Sequence, residues 1–290
     1  MRWLLLCSLL LAAPAYSAPR QMMGKKSLRN PIVLVHGATT KGSQLQIGLF
    51  NFGDYFRNIP HFYAPSGTPV GLAHLSTDGS IGERAAVLKN FLETEFRGQQ
   101  VNIVAHSLGG LDARYAASVL GARQIASITT IGTPHLGSPL ANWAARQSEN
   151  GSPWYWFFRL LGYDLRQRRF LKEITTDFMA TTFNPRVQNL ASVKYFSVVT
   201  SANFRDSSMS YWFYFPVRWL EGEKHPLSAN GHDGLVPRDS QVWGKVLVTQ
   251  TLDHLGQINH HELRTAEIGA ESTALNIYTA VYDNLSQEGL

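Results

Sequence analysis

Short apolar runs recur along the chain at wide intervals. Ile32 to Val35, Val101 to Ala105 and Ile128 to Ile131 are rich in β-branched residues and lack polar alternation, the pattern of strands buried on both faces. Weaker runs at Val70 to Leu75, Val193 to Val199 and Lys245 to Leu252 read as further strands of the same sheet. Between them the apolar spacing changes. Ile81, Ala85, Leu88, Leu92 and Phe96 recur at helical intervals, Leu108 to Leu120 is a helix rich in Ala and Leu, and Ala266 to Leu285 is a closing helix. Phe50 to Pro60 reads as an aromatic connection. Strands alternating with helices imply right-handed crossovers and a mostly parallel central sheet with helices on both faces. The rhythm breaks from Trp143 to about Pro185, an aromatic and basic stretch without a clear strand, and again at Tyr211 to Trp219. The expected organisation is a single α/β domain over residues 18–290 with a cap or lid inserted around residues 143–185.

One junction in this pattern carries chemistry. The run Val101 to Ala105 passes through His106, Ser107 and Leu108-Gly109-Gly110 directly into a helix. A strand that turns sharply into a helix through a serine is a nucleophile elbow, which lifts the hydroxyl over the sheet and aims the helix N-terminal N–H groups at it. Ala105 stands where the pattern has glycine, and alanine is the smallest replacement. The competing reading of Ser107 is a helix N-cap. A serine nucleophile needs a histidine base and an acid to fix that base, in the chain order serine, acid, histidine. Gly231 to Pro237 places Asp233 in a glycine-flanked turn, and Thr251 to Leu255 places His254 in a loop after the last strand. Asp253, Asp239 and Asp206 remain alternative acids, and His225, His232, His260 and His261 alternative bases. His36, His106 and His135 flank turns and read as framework residues.

Composition narrows the setting. The chain has 290 residues, 44% hydrophobic, enough for one well-buried α/β core. Arg2, the apolar run Trp3 to Ala13 and Ala15-Tyr16-Ser17 form a signal peptide over residues 1–17, which implies a secreted or periplasmic protein. The single cysteine, Cys7, lies within it, so the mature chain has no disulfide. Lys plus Arg number 26 against 21 Asp plus Glu, a net charge of +5 without any concentrated basic tract, which argues against nucleic acid as a partner.

Taken together, NPIVLVHG, AHSLGGLDARY, GTPHLGSPLA, HDGLVP and DHL resemble the bacterial secreted triacylglycerol lipases of the α/β-hydrolase superfamily. The similarity is dense from Asn30 to Trp143 and returns from about Asn230 to Asn259. The resemblance implies the α/β-hydrolase fold, with Ser107 as nucleophile, Asp233 as acid and His254 as base. It also implies an oxyanion hole from the backbone N–H groups of Ala38 and Leu108, donors fixed before charge develops. Many of these lipases hold a calcium ion near the histidine. Here Gly256 lacks the required carboxylate and His260 is a poor partner for a hard cation, so neither a metal nor a cofactor is expected.

Triad chemistry does not select the substrate. If the stretch from Trp154 is helical, Trp154, Phe157, Phe158, Leu161 and Leu165 form one apolar stripe with Arg159, Arg166 and Arg169 off it, and the resemblance implies a lid at this place, after GTPHLGSPLA. Gly162 and Arg168 interrupt that pattern, and an ordinary packed cap helix is the alternative. Tyr211 to Trp219 reads as an acyl pocket wall or as core. The leading expectation is a lipid-ester hydrolase, most specifically a triacylglycerol lipase working at a lipid–water interface, with no stable protein partner. A short-chain esterase or phospholipase is the enzymatic alternative. A catalytically silent lipid- or partner-binding protein is the alternative of another class.

Overall fold

The run Ile32–Val35 forms a strand with all four side chains buried, and it is paired on both sides within the sheet. The protein, seen as a computed structural model, is described at residues 22–38, 40–47, 49–149, 152–160, 164–203, 218–222, 224–260 and 270–290. The signal segment, Asp206, Tyr211 to Val217 of the second aromatic stretch, His261 and residues 266–269 of the expected closing helix lie outside the described residues. In chain order the elements are β1 (Ile32–Val35), β2 (Thr40–Lys41), β3 (Gln44–Ile47), β4 (Phe50–Asp54), α1 (Ile59–Tyr63), β5 (Val70–Ala73), α2 (Ile81–Glu95), β6 (Val101–His106), α3 (Leu108–Ser118) and β7 (Ile125–Ile131). Then follow α4 (Pro139–Glu149), α5 (Pro153–Leu160), α6 (Phe170–Glu173), α7 (Thr176–Phe178), α8 (Asn184–Arg186), β8 (Lys194–Thr200), β9 (Lys245–Gln250) and α9 (Ala270–Gln287).

Six strands pair in the order β5-β1-β6-β7-β8-β9, every neighbour parallel. This is the α/β-hydrolase arrangement, with β6 among the inner strands. Because successive side chains point to opposite faces, β1 divides its residues between two cores. Ile32 and Leu34 join Val104, Phe62, Tyr278 and Val281 on the side of α9. Val33 and Val35 join Ile103, Leu88, Leu92 and Ala113 on the side of α2 and α3. Each fully buried aliphatic side chain contributes about 1.5–3 kcal/mol. Helix α2 begins where Ser80 and Glu83 form a capping box. Helix α3 packs closely because its start is glycine: a Cβ at Gly109 would meet the Val35 carbonyl at 2.6 Å, and one at Gly110 the Thr133 hydroxyl at 2.2 Å.

Two expectations need correction. Phe50 to Pro60 is not wholly a connection, because Phe50–Asp54 is the last strand of a small antiparallel sheet β2-β3-β4. The apolar stripe from Trp154 to Leu165 is not one helical face. Helix α5 is described over Pro153–Leu160, Leu165 lies in a turn beyond it, and residues 161–163, with the side chain of Phe158, lie outside the described residues. Within α5 it is Tyr155 that is buried, packed on Ala141, Ala144, Leu165 and Leu171. Trp154, Trp156, Phe157 and Leu160 are 42%, 57%, 49% and 80% exposed. From Arg168 onward the chain is tied down: Arg168 pairs with Asp78 at 3.0 Å, Arg169 pairs with Glu83, and Glu173 accepts the Ile81 N–H at 2.6 Å.

Candidate active site

At the end of β6 the chain reverses into α3 through Ser107, which holds φ 56° and ψ −130°. A non-glycine residue in that region costs on the order of 1–3 kcal/mol and persists only where its surroundings enforce it. Here they do. The Ser107 N–H donates to the Ile131 carbonyl at 2.9 Å, and the Ser107 carbonyl accepts from the Thr133 hydroxyl at 2.7 Å and the Gly110 N–H at 3.1 Å. Ala105 is fully buried within the sheet, so the elbow forms with alanine in place of glycine. Ser107 is half-buried, and the N–H of Leu108 lies at the first position of α3, where the helix supplies no carbonyl to it.

The loop after β1 is drawn against this turn. A Cβ at Gly37 would meet the Ser107 Cβ at 2.7 Å and the Tyr55 hydroxyl at 2.8 Å, so glycine permits the approach. The Gly37 N–H donates to the Tyr55 hydroxyl at 3.0 Å. The Gly37 carbonyl accepts from His36 Nδ1 at 2.8 Å and Arg84 Nη2 at 3.1 Å. Arg84 also reaches the His36 carbonyl and is fully buried against Asp112, with 2.8 Å between Nη2 and Oδ2. Ala38 follows this locked glycine and is half-buried. The Leu75 N–H donates to His36 Nε2 at 2.9 Å, so His36 serves the loop framework. Burial foremost, with Arg84 beside it, pushes the His36 imidazole down to about 3.

Asp233 and His254 come together from two loops at the same end of the sheet. Asp233 occupies a turn with Gly231 and Gly234 at φ 96° and 101°. Its Oδ1 accepts the N–H groups of Leu235 and Val236 at 3.0 and 2.8 Å. Its Oδ2 meets His254 Nδ1 at 2.7 Å, and the His254 N–H donates to the Asp233 carbonyl at 2.8 Å. Burial opposes ionisation of Asp233, but His254 and the donated hydrogen bonds outweigh it and hold the carboxyl below its ordinary value. A carboxylate that takes the Nδ1–H leaves Nε2 as the basic nitrogen. The ring of His254 lies 4.6 Å from that of His106, the neighbour of Ser107. Among the described residues the Ser107 hydroxyl has no hydrogen-bond partner; catalytic contacts of this kind often tighten only when substrate binds.

The alternative acids and bases are engaged elsewhere. Asp253 Oδ1 accepts the Gly256 N–H at 2.6 Å, and Asp239 accepts from Asn230 at 2.8 Å. His225 and His232 accept backbone N–H groups at 3.2 and 3.1 Å, and His260 Nε2 donates to the Asp54 carbonyl at 2.8 Å. His135 is stacked on Trp243 and meets Arg114 and Thr130. Sequence reasoning missed Tyr55, Arg84 and Gln257 altogether. The residues near His254 do not suit calcium: Gly256 offers no side chain, His260 faces backbone carbonyls as a donor, and the Gln257 side chain turns inward to Asp233 at 2.9 Å.

No protein-family model matches the chain. It is 29% identical over 262 residues to triacylglycerol lipase 2 of Saccharomyces cerevisiae, covering 81% of this chain and 74% of that protein. It is 36% identical over 121 residues to a triacylglycerol lipase of Pseudarthrobacter phenanthrenivorans, a match spanning 39% of this chain and only 36% of that protein's length. The fold is similar to the crystal structure of mature Bacillus licheniformis lipase BlEst2, with a TM-score of 0.65 at 20% identity over 90% of this chain and 94% of that one.

Proposed function

We propose that this chain, a member of the α/β-hydrolase superfamily whose sequence relatives are triacylglycerol lipases, is an exported serine hydrolase that cleaves lipid esters at a lipid–water interface. The observation that carries the reading is the Asp233–His254 pair at 2.7 Å, set beside the strained serine turn. In this mechanism His254 Nε2 takes the Ser107 proton as Oγ attacks the ester carbonyl. The N–H groups of Leu108 and Ala38 receive the developing oxyanion. Collapse of the tetrahedral intermediate expels the alcohol, which leaves with the proton held by His254. Water, deprotonated by the same imidazole, then releases the acyl group from Ser107. Asp233 fixes the tautomer and stabilises the charged ring.

Helix α5 supports the interfacial part of the reading. It exposes Trp154, Trp156, Phe157 and Leu160, while its neighbour segment is anchored through Arg168, Arg169 and Glu173. Burying several such side chains in lipid offsets the few kcal/mol, roughly, that hold a two-state element closed. The same anchoring favours a second reading, an esterase with a fixed cap. Turnover of one ester below and above its solubility limit separates them. Wild type is expected to jump in rate at the limit, and a Trp154→Ser, Phe157→Ser double variant to lose most of that jump while keeping soluble-ester turnover. A smooth rise in both proteins makes esterase the better name. Among the described residues no helix is long and apolar enough to cross a membrane.

The loop around Gly256 leads to a further expectation. A strong chelator is expected to leave both activity and the melting temperature of the mature enzyme unchanged, because a bound ion that prefers the folded state would stabilise it by mass action. A calcium-dependent rise in melting temperature would contradict this.

A further inference from the structure

We propose that Tyr55, His106 and Gln257 are positioning residues, forming one directed hydrogen-bond relay that joins the backbone of the oxyanion loop to the acid of the triad. The inference rests on the proposed roles of Ser107, Asp233 and His254 and adds residues that no motif assigns.

The direction of the relay is forced, link by link. The Asp233 carboxylate can only accept, so the Gln257 amide nitrogen, 2.9 Å from Oδ2, donates to it. That orientation turns Gln257 Oε1 to His106 Nε2 at 2.8 Å. The other neighbour of His106 Nε2 is the His254 carbonyl at 3.0 Å, also an acceptor, so the proton of His106 must sit on Nε2. His106 Nδ1 is therefore bare and accepts from the Tyr55 hydroxyl at 2.7 Å. The Tyr55 oxygen in turn accepts the Gly37 N–H at 3.0 Å. No link can be reversed without leaving two donors or two acceptors facing each other.

The relay occupies a space made for it. Gln257 and His106 are fully buried and Tyr55 is 4% exposed, so water does not compete for these bonds. Gly132, at φ 58°, has no Cβ, and one built there would lie 2.2 Å from Gln257 Oε1. The Tyr278 hydroxyl holds the Gln257 carbonyl at 2.9 Å. Burial, followed by the neighbouring His254, keeps His106 well below its ordinary value, so the ring stays a neutral link with one donor and one acceptor. The consequence is mechanical. The Asp233 oxygen that accepts the hydrogen bond from His254 and the glycine that carries the oxyanion loop are held by one continuous set of bonds.

The test is a set of variants measured on a soluble ester. Tyr55→Phe and Gln257→Met are each expected to lower kcat by about tenfold to a hundredfold with KM nearly unchanged, because they loosen geometry rather than substrate contacts. Since they break one relay at its two ends, the double variant is expected to fall little further than the worse single one. Gln257→Glu keeps the side-chain shape but replaces the donor to Asp233 with an acceptor, and is expected to lose kcat at least as far as Gln257→Met. This variant decides the matter if the methionine variant does not fold. Independently of activity, ring-nitrogen NMR is expected to find His106 neutral with its proton on Nε2. Multiplicative losses in the double variant, wild-type kcat in Gln257→Glu, or a proton on Nδ1 would each overturn the relay. Ser107→Ala, assayed alongside, separates the two readings: if it stays active the triad itself is wrong, whereas a dead Ser107→Ala beside unaffected relay variants removes the relay alone.

Discussion

Asp233→Asn and His254→Ala are each expected to cut ester turnover by about four to six orders of magnitude, nearly as far as Ser107→Ala, and pairs of these changes are expected to add almost nothing. The reason is that in the proposed mechanism the three groups act in one step. Without His254 nothing takes the serine proton. Without a carboxylate at 233 the ring loses the partner that fixes Nδ1–H, now 2.7 Å from Oδ2. Asp239→Asn is the comparison, since that side chain accepts from Asn230 at the surface; it is expected to keep nearly full turnover. Steady-state rates on one soluble ester, with melting temperatures to confirm folding, check the set. Independent, multiplying losses would show that the residues do not share a step.

The second large effect concerns acid. His36, His106 and His135 are buried, and burial, the largest cause in each, holds all three below the ordinary 6.5, His36 at about 3. The unfolded chain protonates such histidines near 6.5, whereas the folded chain does not until far lower pH. Below that value the unfolded state therefore binds more protons, so stability present above pH 6.5 is lost as pH falls. Asp112 acts in the opposite sense. Burial, working against Arg84, raises its carboxyl from 3.8 to about 6, so between those values the folded state holds the extra proton. Burial also holds His232 down and raises Glu173, so four histidines stand against two carboxyls, a net difference of up to about two protons, or up to about 3 kcal/mol of stability lost per pH unit below 6. Total stabilities are commonly about 5–15 kcal/mol, so this is a large share. Denaturant unfolding at pH 7, 6 and 5 measures it directly. A stability that stays flat from pH 7 to 5 would mean that these rings take up protons without unfolding.

The parallel sheet was legible because its strands are largely apolar, β-branched runs, as Ile32–Val35 and Val101 to Ala105 show, and such runs have few other uses at that length. The small sheet β2-β3-β4 was not legible. Thr40–Lys41, Gln44–Ile47 and Phe50–Asp54 are short and largely polar, and their pairing is decided by tertiary context rather than by alternation. The cap stripe misled for a different reason. Helical spacing alone cannot tell which face packs, and here Tyr155 is the side chain that turns inward. The residues of the candidate site divide in the same way. Ser107, Asp233 and His254 stand in motifs of recognisable order. Tyr55 and Gln257 stand in none; the one trace of Gln257 is a polar side chain between apolar neighbours, Leu255-Gly256-Gln257-Ile258, and Tyr55 leaves no such trace. Attention to Gly256 and His260 as missing metal ligands passed over the glutamine between them.

The central claim is that Ser107 is made nucleophilic by His254 and Asp233. A fluorophosphonate probe, which reacts only with an activated serine, tests it in a single experiment followed by peptide mapping. The expected result is one labelled residue, Ser107, in the native protein, with labelling lost in His254→Ala and after unfolding. Labelling at another serine, or an unlabelled Ser107 in protein that turns over esters, would contradict the account.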